Sequence, residues 1–157
     1  MHNLPGKGKR MKRIGFLVNP VAGIGGRVGL KGSDGANIQE KARRLGAVPE
    51  AAARAWHALQ KASGLEDKVE FLTAPGIMGE EILKKTSFPY QVIGELKGPE
   101  TTAEDTIRIA REIQEAEAEL LLFAGGDGTA RNVCEALGTS LPVIGIPAGV
   151  KIHSAVY

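Results

Sequence analysis

At 157 residues, 43% hydrophobic and 24% charged, the chain has the make-up of one ordinary soluble domain with a core of its own. A net charge of only +2, with Lys7, Lys9, Arg10, Lys12 and Arg13 crowded together and a mildly acidic remainder, argues against a nucleic-acid-binding face. Aromatic residues make up 4% and glycine occupies 21 positions, so an aliphatic core and close backbone turns are expected, as in a layered α/β protein.

No apolar run is long enough to span a membrane, and the first ten residues lack the apolar stretch of a signal peptide. A cytoplasmic protein without a membrane partner is therefore expected. Residues 1–10 read as a flexible tail or an upstream start, because Met11 stands directly before the first strand. That strand covers 14–18, a nearly continuous apolar run ended by Asn19-Pro20, and it reads as buried and parallel. Glycines at 23, 25, 26, 29, 32 and 35 follow. They do not make a dinucleotide fingerprint, since Gly23 and Gly25 require a small residue where Val28 stands. The segment reads either as a phosphate or substrate loop, with Arg27, Lys31 and Asp34 as polar candidates, or as a surface excursion.

A helix over 38–45 ends at Gly46, and a stronger one covers 50–62, with Ala52, Ala55 or Trp56, and Leu59 on its inner face. Trp56 is read as a core anchor and His57 as a surface residue. The second strand is 69–73, followed by a turn at 74–76 and a short helix near 78–84; the third strand is 90–93. Thr101 with Glu104 and Thr102 with Asp105 both have capping-box spacing, opening a helix that runs to about 116. Its predicted buried stripe is Ala103, Ile107, Ala110 and Ile113, with Arg108, Arg111, Glu112 and Glu115 toward solvent. Beyond capping, a substrate role for the threonines stays open, because they lie at the carboxyl edge of the sheet.

The next stretch organises the chain. Apolar residues 120–123 run into Gly125-Gly-Asp-Gly-Thr129, after which Ala130, Val133, Cys134 and Leu137 recur at helical spacing. Strand, glycine turn and helix start together present backbone amides suited to phosphate. A carboxylate there repels phosphate unless it holds a metal or takes a proton, so Asp127 suggests phosphoryl transfer. An Asp that merely caps its own helix is the competing reading; the unbroken five-residue run after an apolar strand favours the ligand loop. Cys134, on the apolar stripe, reads as a small buried thiol, and no disulfide can form within the chain. Gly138 ends this helix, and a fifth strand over 142–146 emerges into Pro147-Ala-Gly-Val-Lys-Ile-His-Ser154. The alternation of elements predicts an open, three-layer α/β fold: a mostly parallel sheet with helices on both faces and its glycine-rich loops along one edge. The chain stops at Ala155-Val-Tyr157 within an apolar element, so a further domain beyond residue 157 is expected.

Taken together, Val18-Asn-Pro20 with Gly23-Ile-Gly-Gly26, Thr101-Thr-Ala-Glu-Asp-Thr106, Gly125-Gly-Asp-Gly-Thr-Ala-Arg131 and Gly145-Ile-Pro-Ala-Gly-Val-Lys-Ile-His-Ser154 resemble the ATP-NAD kinase-like family. That family, which includes AcoX-like proteins, belongs to the superfamily of NAD kinases, diacylglycerol and sphingoid lipid kinases, and phosphofructokinases. The resemblance covers residues 11–157 and implies an NAD kinase N-terminal-domain-like fold, with a β-rich C-terminal domain to follow. It implies ATP and Mg²⁺ as cofactors and NAD⁺ as substrate, phosphorylated at the adenosine ribose 2′-hydroxyl to give NADP⁺. Asp127 would engage that hydroxyl as the catalytic residue, with Gly125, Gly126 and Gly128 shaping the phosphate environment. Asn19, Thr129 and Lys151 are further nucleotide-binding candidates; read from the residues alone, Lys151, His153 and Ser154 are candidate phosphate contacts. No protein metal site is expected, the partners are small-molecule nucleotides, and a homo-oligomer is expected where the C-terminal domain is present. Two departures keep other readings open. Asn19-Pro20 with its glycine cluster is similar to the opening of lipid kinases, and Gly149-Val-Lys-Ile-His-Ser154 replaces a more apolar turn. A lipid or small-polyol kinase, and a non-enzymatic nucleotide-binding accessory protein, are the alternatives.

Overall fold

The computed structural model describes residues 8–24, 36–46, 48–149 and 152–157. Among these described residues, five strands alternate with helices: β1 (Lys12–Val18), α1 (Ala36–Arg44), α2 (Ala51–Lys61), β2 (Val69–Thr73), a 3₁₀ turn (Gly76–Met78), α3 (Glu80–Leu83), β3 (Tyr90–Val92), α4 (Ala103–Glu115), β4 (Leu120–Gly125), α5 (Asp127–Leu137) and β5 (Val143–Pro147). All four strand pairings are parallel, in the order β3-β2-β1-β4-β5. The expected open parallel sheet is therefore present, with helices on both faces.

Side-chain alternation along the strands builds two cores. Leu17, Leu121 and Phe123 point to one face and pack with Ile109, Ala110 and Ile113 of α4 and Ala130, Val133 and Leu137 of α5. Phe16, Val18 and Ala124 point to the other, against Ala51, Ala55 and Leu59 of α2 and Ile82 and Leu83 of α3. Burial on both faces explains why residues 14–18 of β1 and the whole of β4 are apolar without interruption rather than alternating. Edge-to-face rings of Phe16, Phe71 and Phe88, with centroids 5.7 and 5.1 Å apart, fill the α2 side.

Several helix faces differ by a residue from the sequence expectation. In α2 the buried alanines are Ala51 and Ala55, whereas Ala52 is exposed; a run of alanines carries no size signal to choose the inner face. Trp56 is half-buried and packs against the α2-side core, and His57 is exposed. In α4 the buried row is Thr106, Ile109, Ala110 and Ile113, an i, i+3, i+4, i+7 set, while Ala103 is exposed and Ile107 only half-buried. Thr106 takes a place that its polarity conceals. Arg108 is also less open than expected: it lies 2.8 Å from Asp105 and 3.3 Å from Glu112 and donates to the Glu95 carbonyl. Cys134 is exposed rather than buried. The inner arc of α5 is Thr129, Ala130, Val133 and Leu137, and Cys134 lies one step round the helix beyond it, on the solvent side.

Strand order decides where a ligand can bind. From β1 the chain builds outward through β2 to β3, then returns across the sheet to lay β4 on the opposite side of β1. In open α/β sheets the crevice beyond the carboxyl ends of two such strands is the ligand position. Here those ends are Val18, leading to Asn19, and Gly125, leading to Asp127.

Candidate functional site

Asn19 and the Gly125–Thr129 turn meet at this crevice. The β1–β4 pairing is prolonged by Asn19 N–H donating to the Ala124 carbonyl at 2.9 Å. The Asn19 side chain is held at both ends: Nδ2 donates to Thr129 Oγ1 at 2.9 Å, and Oδ1 accepts from the Val21 amide at 3.2 Å. Thr129 is 2% exposed, so Asn19 satisfies a hydroxyl that would otherwise sit in apolar surroundings. The N-cap of α5 is Gly126, so Thr129 stands in the first turn and does not cap the helix by its side chain. Gly125 is obligatory here, because a Cβ would lie 2.3 Å from Thr129 Oγ1.

Asp127 is the first residue of α5. The first intrahelical bond runs from Ala130 N–H to the Gly126 carbonyl at 3.0 Å. The amides of Asp127, Gly128 and Thr129 therefore precede the helical ladder, and with the helix dipole they favour an anionic group. The Asp127 carboxylate itself is held from across the crevice. One oxygen accepts from the His153 amide at 2.9 Å and the other from the Ser154 amide at 3.0 Å. Each carboxylate oxygen has two lone pairs, so these bonds fix the group's orientation and leave acceptor capacity for a ligand hydroxyl. His153 and Ser154 thus reach Asp127 through their backbone. Lys151 lies outside the described residues, as do Arg27, Lys31 and Asp34.

The strand after the glycine turn closes the site from the other side. Ala148 N–H donates to the Gly125 carbonyl at 2.8 Å, and Gly126 faces Gly149, whose Cα would lie 3.4 Å from an added Cβ. Gly23 has φ +81°, and its Cβ position would fall 2.2 Å from the Ala148 carbonyl oxygen. A side chain at Gly23 would push the opening loop away from the β5 exit. Arg54 Nη1 donates to the Pro147 carbonyl at 3.2 Å and Nη2 to Glu50 at 3.2 Å, anchoring α2 to the same edge.

One residue of the site escaped the sequence reading. Tyr157 Oη lies 2.7 Å from the Gly126 carbonyl oxygen and 3.1 Å from that of Gly125, its single proton shared between the two as a bifurcated hydrogen bond. The signal was indirect: a glycine inside a strand, Gly145, marks a place where another group approaches closely, and here that group is the Tyr157 ring. Thr101 and Thr102 do not join the site through these bonds. Thr102 forms the capping box of α4, accepting from the Asp105 amide at 3.2 Å while its own amide donates to Asp105 at 3.1 Å. Lys12 and Arg13 of the basic cluster lie at the opposite edge of the sheet, where Lys12 pairs with Glu119 at 3.0 Å and Arg13 lies 3.7 Å from Glu117, while Lys7 lies outside the described residues.

Among the described residues no group of three His, Cys, Asp or Glu side chains could hold a metal ion, and no helix is long and apolar enough to cross a membrane. A search of curated proteins gives no match. A family profile described as the ATP-NAD kinase N-terminal domain matches residues 14–157, from β1 through the glycine turn to Tyr157. The chain therefore belongs to the ATP-NAD kinase N-terminal domain family, within a kinase-like superfamily.

Proposed function

We propose that this chain forms the nucleotide-binding half of an ATP-dependent phosphotransferase that phosphorylates the adenosine ribose 2′-hydroxyl of NAD⁺ to give NADP⁺. The observation that carries the reading is Asp127: a carboxylate at the start of α5, in the crevice between β1 and β4, oriented by two amides 26 and 27 residues away. A capping Asp needs no such tether.

The local donors suit phosphate. Gly126 and Gly128 leave the amides of the first turn of α5 without covering side chains, and the helix dipole adds to their attraction for anionic oxygen. Asp127 is the one carboxylate in this turn, which suits a Mg²⁺ carried mainly by phosphate oxygens and water rather than by a protein cage. Bound with ATP, that ion supplies charge neutralisation on the transferred group. In the step itself, the ribose 2′-oxygen forms a bond to the γ-phosphorus while the bond to the β-phosphate bridging oxygen breaks and ADP leaves. Asp127 accepts the hydroxyl proton, and the amides of Gly128 and Thr129 take up charge on the phosphoryl oxygens. Asn19 keeps Thr129, and with it the first turn of α5, in register with the end of β1. A following β-rich domain, with homo-oligomerisation, would complete the acceptor pocket.

The test is product analysis with ATP, Mg²⁺ and NAD⁺ supplied to the whole protein. NADP⁺ formation that disappears in Asp127→Ala supports the reading; turnover unaffected by that change sinks it. Phosphorylation of a lipid or polyol in place of NAD⁺ would reassign the acceptor. Nucleotide binding by calorimetry without any transfer would instead mark an accessory protein.

A further inference from the structure

The turn that carries Asp127 is gripped from outside the glycine motif. Tyr157 lays its ring edge-on against Phe123, with centroids 5.8 Å apart and planes at 64°, and covers Gly145, where a Cβ would lie 2.5 Å from its Cε1. Gly145 N–H donates to the Val156 carbonyl at 2.8 Å, which fixes the backbone just before the ring. From this seat the hydroxyl reaches the Gly126 carbonyl at 2.7 Å and the Gly125 carbonyl at 3.1 Å. A carbonyl has two lone pairs, so these bonds are compatible with those the same oxygens accept from Ala130 and Ala148.

The Gly126 carbonyl and the Asp127 N–H belong to one planar trans peptide, and so do the Gly125 carbonyl and the Gly126 N–H. Within such a unit the two groups point in opposite directions. We propose that Tyr157 is a positioning residue of the nucleotide site, its hydroxyl holding the Gly125 and Gly126 carbonyls so that the Gly126 and Asp127 amides stay turned toward the bound phosphate. The grip is reciprocal: Asp127 holds the segment before Tyr157 through His153 and Ser154, and Tyr157 holds the peptide units before Asp127. Burial and the nearby Asp127 charge push the phenol up to about 12, so it remains a donor throughout the neutral range. The role is confined to orientation, because helix and strand bonds also hold the two carbonyls.

The inference rests on the function proposed above, and its test separates the two. Tyr157→Phe keeps the ring on Phe123 and Gly145 and removes only the donor. In the full chain it is expected to move the Gly126 and Asp127 amide resonances in ¹H–¹⁵N NMR and to weaken ATP binding by calorimetry about threefold to tenfold. Circular dichroism should match that of the parent. Gly145→Ala, which forces the ring aside with its hydroxyl intact, is expected to move the same two amides. Unmoved turn amides in either variant, or moved amides with unchanged ATP affinity in Tyr157→Phe, overturn the positioning role. A parent chain that binds no ATP overturns the functional reading and the site role with it, while the amide resonances still decide whether Tyr157 holds the turn.

Discussion

Two helices of this molecule carry an aspartate in their first turn, and their surroundings differ. Asp105 in α4 is 5% exposed and finds its partners within three residues: the amide and hydroxyl of Thr102 and the Arg108 guanidinium at 2.8 Å. Asp127 in α5 is half-buried and finds its partners across the sheet edge, in the amides of His153 and Ser154. The first carboxylate closes a local network with a cation. The second is aimed by neutral amides into a crevice and keeps lone pairs for something else. Capping-box chemistry is thus enough to account for Asp105, whereas no local cap accounts for the bonds of Asp127.

Substitutions can break this contrast, beginning with the largest effect. Asp127→Ala is expected to lower NADP⁺ formation by the whole protein about 10²- to 10⁴-fold while far-UV circular dichroism stays that of the parent. Comparable turnover in the variant would put Asp127 in the same class as Asp105. Asp105→Ala should act the other way, costing about 2–3 kcal/mol in urea unfolding, because it removes the carboxylate half of the α4 capping box and strips Arg108 of its closest carboxylate. ATP affinity should change little.

The acid limb of stability sharpens the comparison. Burial alone pushes the Asp105 carboxyl up, but the Arg108 hydrogen bond, the Thr102 amide and hydroxyl and the Arg108 charge together hold it below the ordinary carboxylate value. Its folded pKa is therefore depressed, so its contribution is present above about pH 4, the unfolded value, and is lost as pH falls through the folded one. Urea midpoints followed downward from pH 7 should drop more steeply for the parent than for Asp105→Asn. Glu80, lowered by the Gly76 amide and then by Lys84, contributes equally to both proteins and cancels in the difference. The smallest effect belongs to Asn19→Ala, which removes the bonds to Thr129 and Val21 and should cost about 1 kcal/mol in the same unfolding assay. A cost near zero would mean that Thr129 needs no partner at the crevice.

Much of the fold was legible because its information is local. Apolar runs at 14–18 and 120–123 are short, unbroken and ended by turn residues, which is the signature of strands buried on both faces. Helix faces were read less accurately where composition hid the contact. Ala51 and Ala52 cannot be told apart by size, Thr106 is polar yet buried, and Cys134 is apolar enough to join the stripe yet lies beyond the α4–α5 contact. Both Thr101 and Thr102 have capping spacing, and only the bonded geometry selects Thr102 with Asp105.

The site divides in the same way. A carboxylate among glycines after an apolar strand is a pattern within five consecutive residues, so Asp127 and its turn could be singled out from the chain alone. Which groups hold them could not. Asn19 reaches Thr129 across 110 positions, and Tyr157 reaches Gly126 across 31, because β4 lies beside β1 and β5 beside β4. Local spacing determined the elements and the glycine turn with its carboxylate, since helix and strand periods act over a few residues. Strand order decided the rest: contacts between distant residues exist only once the sheet has brought their carboxyl ends to one edge.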